Sequence, residues 1–125
     1  MGNKFRGEAL ATINGLQMVM VMDFNAMCDM EEATGRTMEE VLTDFEQRRI
    51  LSKDLRAMAF AMLHERQPKL RLRDVGTLIG EDMDGVMDGC IKAIEAAFPP
   101  AAELPKTVQE LAGGASAGNP PAAQG

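Results

Sequence analysis

The first regular pattern along the chain has a period of two. Residues Phe5 to Ile13 and Leu16 to Met22 flank the dipeptide Asn14-Gly15. Asn-Gly tolerates the positive φ angles of a two-residue type I′ turn, so the pattern predicts a β-hairpin. In the second arm Leu16, Met18, Met20 and Met22 fall on one face, and Val19 and Val21 on the other. Both faces are apolar, and two strands alone cannot bury either. The expectation is that a helix covers one face and a partner the other, or that a second copy extends the strand edge.

After Met22 the period changes to that of helices. Asn25 is placed to cap a helix carrying Met27, Cys28 and Met30, with Thr34-Gly35 as its end. Thr37 and Glu40 have capping-box spacing ahead of the stripe Met38, Val41, Leu42 and Phe45. Ser52 is expected to cap a helix with Leu55, Met58, Ala59, Met62 and Leu63, closed by Pro68. A helix of one to two turns follows, with Val75, Leu78 and Ile79, stopped by Gly80. The last and longest carries Met83, Val86, Met87, Cys90, Ile91, Ile94 and Phe98 and stops at Pro99-Pro100. The expected fold class is α+β, mostly α: an N-terminal hairpin, a bundle of about five short helices and a disordered C-terminal tail.

The division expected is a hairpin-plus-helical domain over 1–100 and a flexible Ala/Gly/Pro-rich tail over 101–125. Residues 113–125 hold no large apolar side chain and cannot form a core. Within the tail, Pro105 suits a helix start and Leu104, Val108 and Leu111 share a face. A short helix at 105–112, serving as a docking peptide or as an extension of the domain, is the reading there.

Composition changes this picture in two respects. Of 125 residues eleven are Met and five Phe, with no Trp and no Tyr, and the apolar share is 46%. Methionine adapts to irregular surroundings, so it can fill a core or form a surface that repacks around a partner. The net charge is −6. That balance disfavours nucleic acid and anionic membranes, which recruit clustered positive charge. No apolar run reaches the roughly 18 residues of a membrane span, and no secretion signal is visible. Cys28 and Cys90 lack metal-ligand spacing and read as buried free thiols in a reducing compartment, the cytosol.

Candidate chemistry is sparse. His64 is the only histidine and stands at a helix end, where it suits the dipole better than a catalytic cleft. From Asp84 to Glu95, residues Asp84, Asp88, Gly89, Ile91 and Glu95 match positions 1, 5, 6, 8 and 12 of a calcium-binding EF-hand loop. Val86 replaces a ligand, Lys92 brings the wrong charge, and Pro99-Pro100 cuts off the exiting helix. A solvated helix face is the better reading, with a calcium-responsive adaptor as a distant alternative. Adjacent acids such as Glu31-Glu32 and Glu39-Glu40 point in different directions on a helix. The glycines at 76, 80, 85 and 89 lack the residues of a phosphate loop. A basic run from Arg48 to Arg73 faces an acidic remainder, which could dock an acidic partner or pair the two halves of the chain. An enzyme, a cofactor and a resident metal are therefore not expected.

Several pieces occur in a specific order: G-E-A at Gly7, I-N-G at Ile13, and M-D-F-N-A-M-C-D-M-E-E-A-T-G-R at 22–36. D-L-R-A-M-A-F-A-M-L, R-D-V-G-T-L-I-G and I-K-A-I-E-A-A-F-P follow. From Gly7 to Phe98 the chain resembles a small family encoded in the tail-gene clusters of gene transfer agents and related prophages, itself similar to phage tail assembly chaperones. The resemblance implies a non-enzymatic helper that binds the tape-measure protein and tail-tube subunits during tail assembly. It also leaves open a tail-tube or minor tail component retained in the particle. On this reading the protein-binding surface is Leu16, Met18, Val19, Met20, Val21 and Met22, joined by Phe24 and Met27, with self-association through the hairpin edge. Met20→Lys is then expected to weaken association more than folding.

Overall fold

In the computed structural model, which describes residues 7–98, Asn14 (φ 53°) and Gly15 (φ 80°) both occupy the left-handed region. They fold β1 (Glu8–Ile13) back on β2 (Leu16–Val21) as an antiparallel hairpin. The register runs from Glu8 opposite Val21 to Ile13 opposite Leu16. It places Ala9, Ala11 and Ile13 on one face with Met20, Met18 and Leu16. Five helices follow: α1 (Phe24–Thr34), α2 (Met38–Glu46), α3 (Ser52–Leu63), α4 (Leu72–Glu81) and α5 (Met83–Ala97). The fold is α+β, mostly α, as the pattern predicts. Phe5, the tail over 101–125 and the helix expected at 105–112 lie outside the described residues.

The helix ends depart from expectation where two polar residues compete for one role. Asp23, not Asn25, caps α1, its Oδ1 accepting from the Ala26 N–H at 2.9 Å. The helix begins at Phe24, so Asn25 is already inside it. Gly35 (φ 72°) closes α1, and the Thr37–Glu40 capping box opens α2. Ser52 is the first residue of α3 and makes no cap; Leu51 takes the cap position. α3 ends at Leu63, ahead of Pro68, with His64 as its C-cap. α4 is longer than its apolar pattern implies and runs through Gly80 to Glu81. Its start is set upstream by Asp74, whose carboxylate accepts from both the backbone N–H and the guanidinium of Arg71 and so supplies one half of a capping box.

α3 is the centre of the fold. Leu55, Ala57, Met58, Ala59, Ala61, Met62 and Leu63 are all buried, so the helix is apolar almost all round. It contacts α1, α4, α5 and β2. The hairpin lies mainly against α5. Close approach there depends on small residues one turn apart: Gly85, Gly89, Ala93 and Ala97. A Cβ on Gly89 would stand 2.6 Å from the Ala11 Cβ and 2.5 Å from the Met20 sulfur. A Cβ on Gly85 would stand 2.6 Å from the Thr12 carbonyl oxygen. The fourfold spacing of small residues was present in the sequence as a stripe, although its meaning depends on what faces it.

Two polar clasps complete the frame. Asp54 on α3 is fully buried, yet its carboxylate accepts from Arg36 at 2.9 Å and from Lys53 at 3.1 Å. Arg36 also reaches Asp44 on α2 at 2.7 Å, so one guanidinium joins the α1–α2 turn to two helices. At the other end, Asp82 accepts from the Asn14 N–H at 2.8 Å and caps α5 through the Gly85 N–H. Asn14 Nδ2 donates to Glu81 as well. The hairpin tip is thereby fastened to the α4–α5 junction.

Candidate protein-binding surface

The residues expected to form a binding surface are not gathered on one exposed face. Met18, Met20, Val21 and Met22 are buried, Met20 and Val21 completely. Val19 and Met27 are half-buried, and only Leu16 and Phe24 are well exposed, at 60% and 76%. The correction has a simple cause: α5 covers the face bearing Met18 and Met20. The adaptable side chains fill the space around Gly89 and belong to the core. A lysine at Met20 would have to bury its charge there, so Met20→Lys is a folding mutation, contrary to the expectation above.

The β2 edge is also less open than two strands suggest. The Gln67 side chain accepts from the Val19 N–H and donates to the Val19 carbonyl, each at 2.9 Å. It imitates the neighbouring strand that a second copy would otherwise supply. Arg66, the preceding residue, pairs with Glu8 of β1. Strand addition at Val19 would have to displace both bonds.

Open apolar surface lies elsewhere. α2 buries Val41 and Phe45 but leaves Met38 and Leu42 half-buried. α5 buries Val86, Gly89, Cys90 and Ala93, while Ile94 is half-buried and Phe98 is exposed. The apolar arc of each helix is wider than the core it serves. The surplus from both lines one trough of about 510 Å³, with Met38, Leu42, Ile94 and Phe98 as its floor. Glu39, Glu46 and Glu95 stand around it, and no Lys or Arg lines it. Sequence reading assigned Met38, Leu42, Ile94 and Phe98 to core stripes; only the arc width hinted that part would stay uncovered.

A second, smaller groove of about 360 Å³ lies among α1, α3 and α4. Its apolar lining is Ala33, Ala57, Phe60, Ala61 and Leu72, with Lys53 and Arg56 beside Asp29. His64 stacks on Phe60 nearby, ring centroids 5.2 Å apart, and its Nε2 is 3.9 Å from Asp29. Among the described residues, the ion pairs of the basic run do not reach the acidic stretch after Asp74. Arg49 pairs with Asp44, Lys53 with Asp54 and Arg71 with Asp74, while Arg66 turns back to the hairpin.

The remaining chemistry-bearing residues are placed plainly. Residues 84–95, which carry the EF-hand-like spacing, are helical throughout, and Lys92 pairs with Asp88 at 3.0 Å. Among the described residues no group of three or more His, Cys, Asp or Glu is arranged to hold a metal ion. Cys90 is buried, and burial pushes its thiol up to about 12. Cys28 is exposed, against expectation, because α1 turns that position away from the Ala26 and Met30 stripe. No helix among the described residues is long and apolar enough to cross a membrane. Comparisons of the chain with protein-family models, with curated proteins and with solved structures find no match.

Proposed function

We propose that the chain is a non-enzymatic tail assembly chaperone of the gene transfer agent type, binding the tape-measure protein and tail-tube subunits while the tail is built. One structural observation supports a binding role more than any other. The trough between α2 and α5 is lined by four large apolar side chains, three half-buried and one exposed, with Thr43 and three acids and no base. Such a surface suits transient capture of an apolar client by a chain whose net charge of −6 favours solubility. The tail setting rests on the ordered residue resemblance from Gly7 to Phe98. Expression of the tagged chain in its native host, followed by capture and mass spectrometry, tests the reading. The tape-measure protein or tube subunit is expected in the captured fraction, and its absence under mild extraction would remove the proposal. Stoichiometric peptides of this chain in purified particles would instead favour a retained tail component.

A further inference from the structure

We propose that the α2–α5 trough is the docking site for an amphipathic helix with basic flanks, presented by the client. The proposal deepens the assembly-chaperone reading and rests on it only for the client's setting. Three features of the trough select its occupant. First, its walls are helices whose backbone groups are already bonded internally, so they offer no ladder to an extended peptide. An occupant gains no backbone partners from these walls, which favours a helix, whose groups are paired internally.

Second, the apolar floor is complementary to a helix stripe. Met38 and Leu42 lie one turn apart on α2, and Ile94 on α5 is followed four residues later by Phe98, the C-cap of that helix. Met87 and Ile91 continue the α5 stripe beyond the trough, half-buried and exposed respectively. Large apolar residues at i, i+3 or i+4 and i+7 of an incoming helix would find these side chains in turn.

Third, the charge has one sign. Glu39, Glu46 and Glu95 are exposed and form no ion pair among the described residues. The nearest cations, Arg36 and Arg49, share a neighbouring pocket with Glu39 but are committed to Asp44. Lys or Arg beside the apolar stripe of the client would meet three unpaired carboxylates, whereas acidic flanks would be repelled. The groove among α1, α3 and α4 has Lys53 and Arg56 as well as Asp29 at its border, and so provides an internal comparison of mixed charge.

Isotope-labelled full-length protein titrated with a synthetic Leu/Lys amphipathic peptide of about 18 residues, long enough to hold a helix, gives the test. A Leu/Glu peptide of the same pattern is the comparison. The Leu/Lys peptide is expected to perturb the signals of Met38, Leu42, Ile94 and Phe98 and to bind less tightly as salt rises. The double substitution Glu46→Lys with Glu95→Lys is expected to weaken it about tenfold or more and to favour the Leu/Glu peptide, at an unchanged circular dichroism spectrum. Equal binding of both peptides, unchanged affinity in the double variant, or perturbations centred on Lys53 and Phe60 would overturn the proposal. So would trough signals that move with protein concentration alone, which assign the face to a second copy. Signals that move on Val108→Asp in the full chain would assign it to the chain's own C-terminal segment and overturn it equally. No tail protein enters this experiment, so its outcome is independent of whether capture from the host recovers the tape-measure protein.

Discussion

The Met-bearing face of the hairpin and the trough between α2 and α5 are made of similar side chains, but their surroundings differ. Met18 and Met20 lie under α5, which approaches closely because Gly85 and Gly89 carry no Cβ. Met38, Leu42, Ile94 and Phe98 face a gap, because α2 packs chiefly on α1 and not on α5. An apolar residue is therefore a core residue or a contact residue according to how near the next element comes. Methionine content alone does not decide between them.

The same substitution made in both places gives the largest contrast. Met20→Lys is expected to cost more than about 3 kcal/mol, because a buried position would receive an unpaired ammonium. Leu42→Lys, half-buried at the trough, is expected to cost about 1 kcal/mol and to leave the fold intact. Urea unfolding of the two variants checks this, and equal losses would erase the distinction between sealed and open surface.

A smaller effect probes how the hairpin is sealed. Gly89→Ala forces its new methyl against the Ala11 Cβ, which has no side-chain freedom to move away. The helix must lift from the strand, and a loss of about 1–3 kcal/mol is expected. Hydrogen exchange should rise in β1 and α5 but not in α2. Uniform exchange across all elements would show that the two regions unfold as one unit.

The smallest effect concerns acid. Hydrogen bonds from the Asn14 and Gly85 N–H groups hold the Asp82 carboxyl below its ordinary value. The Arg36 guanidinium does the same to Asp44, opposed in part by burial. A carboxylate depressed in the folded state contributes its stability in full above its unfolded value, near 3.9, and loses it as pH falls through the folded value. Stability is thus expected to be level at neutral pH and to decline below about pH 4. In Asp82→Asn the decline should be shallower, with neutral-pH stability lowered, as followed by thermal melts across pH. An unchanged acid limb would mean that the hairpin-tip clasp contributes nothing to it.

Much of the fold was legible because its signals are local. Asn14-Gly15 specifies its turn through φ preference, Gly35 its helix end, and Thr37 with Glu40 its capping box. Each acts within four residues, whatever lies beyond. The errors arose where local options competed, as between Asp23 and Asn25, or where the starting pair was unusual, as with Arg71 and Asp74. Asp54 lies in the first turn of α3, where local pattern gives no reason to bury it. Its burial beneath Arg36, 18 residues earlier in the chain, is a long-range fact.

The candidate surface was less legible than the fold. Alternation showed that both hairpin faces are apolar but not which face a helix would take. The partner for Val19 at the strand edge is a glutamine 48 residues away.

By itself the sequence determined the element types, most of their limits and the acidic charge. These follow from backbone preferences and side-chain periodicity over a few residues. Only the tertiary structure decided that the hairpin methionines are core, that Gln67 occupies the strand edge, and that α2 and α5 leave a trough between them. Those outcomes depend on distances between elements remote in sequence, where a missing Cβ or a few ångströms of separation turns apolar surface into interior or leaves it open.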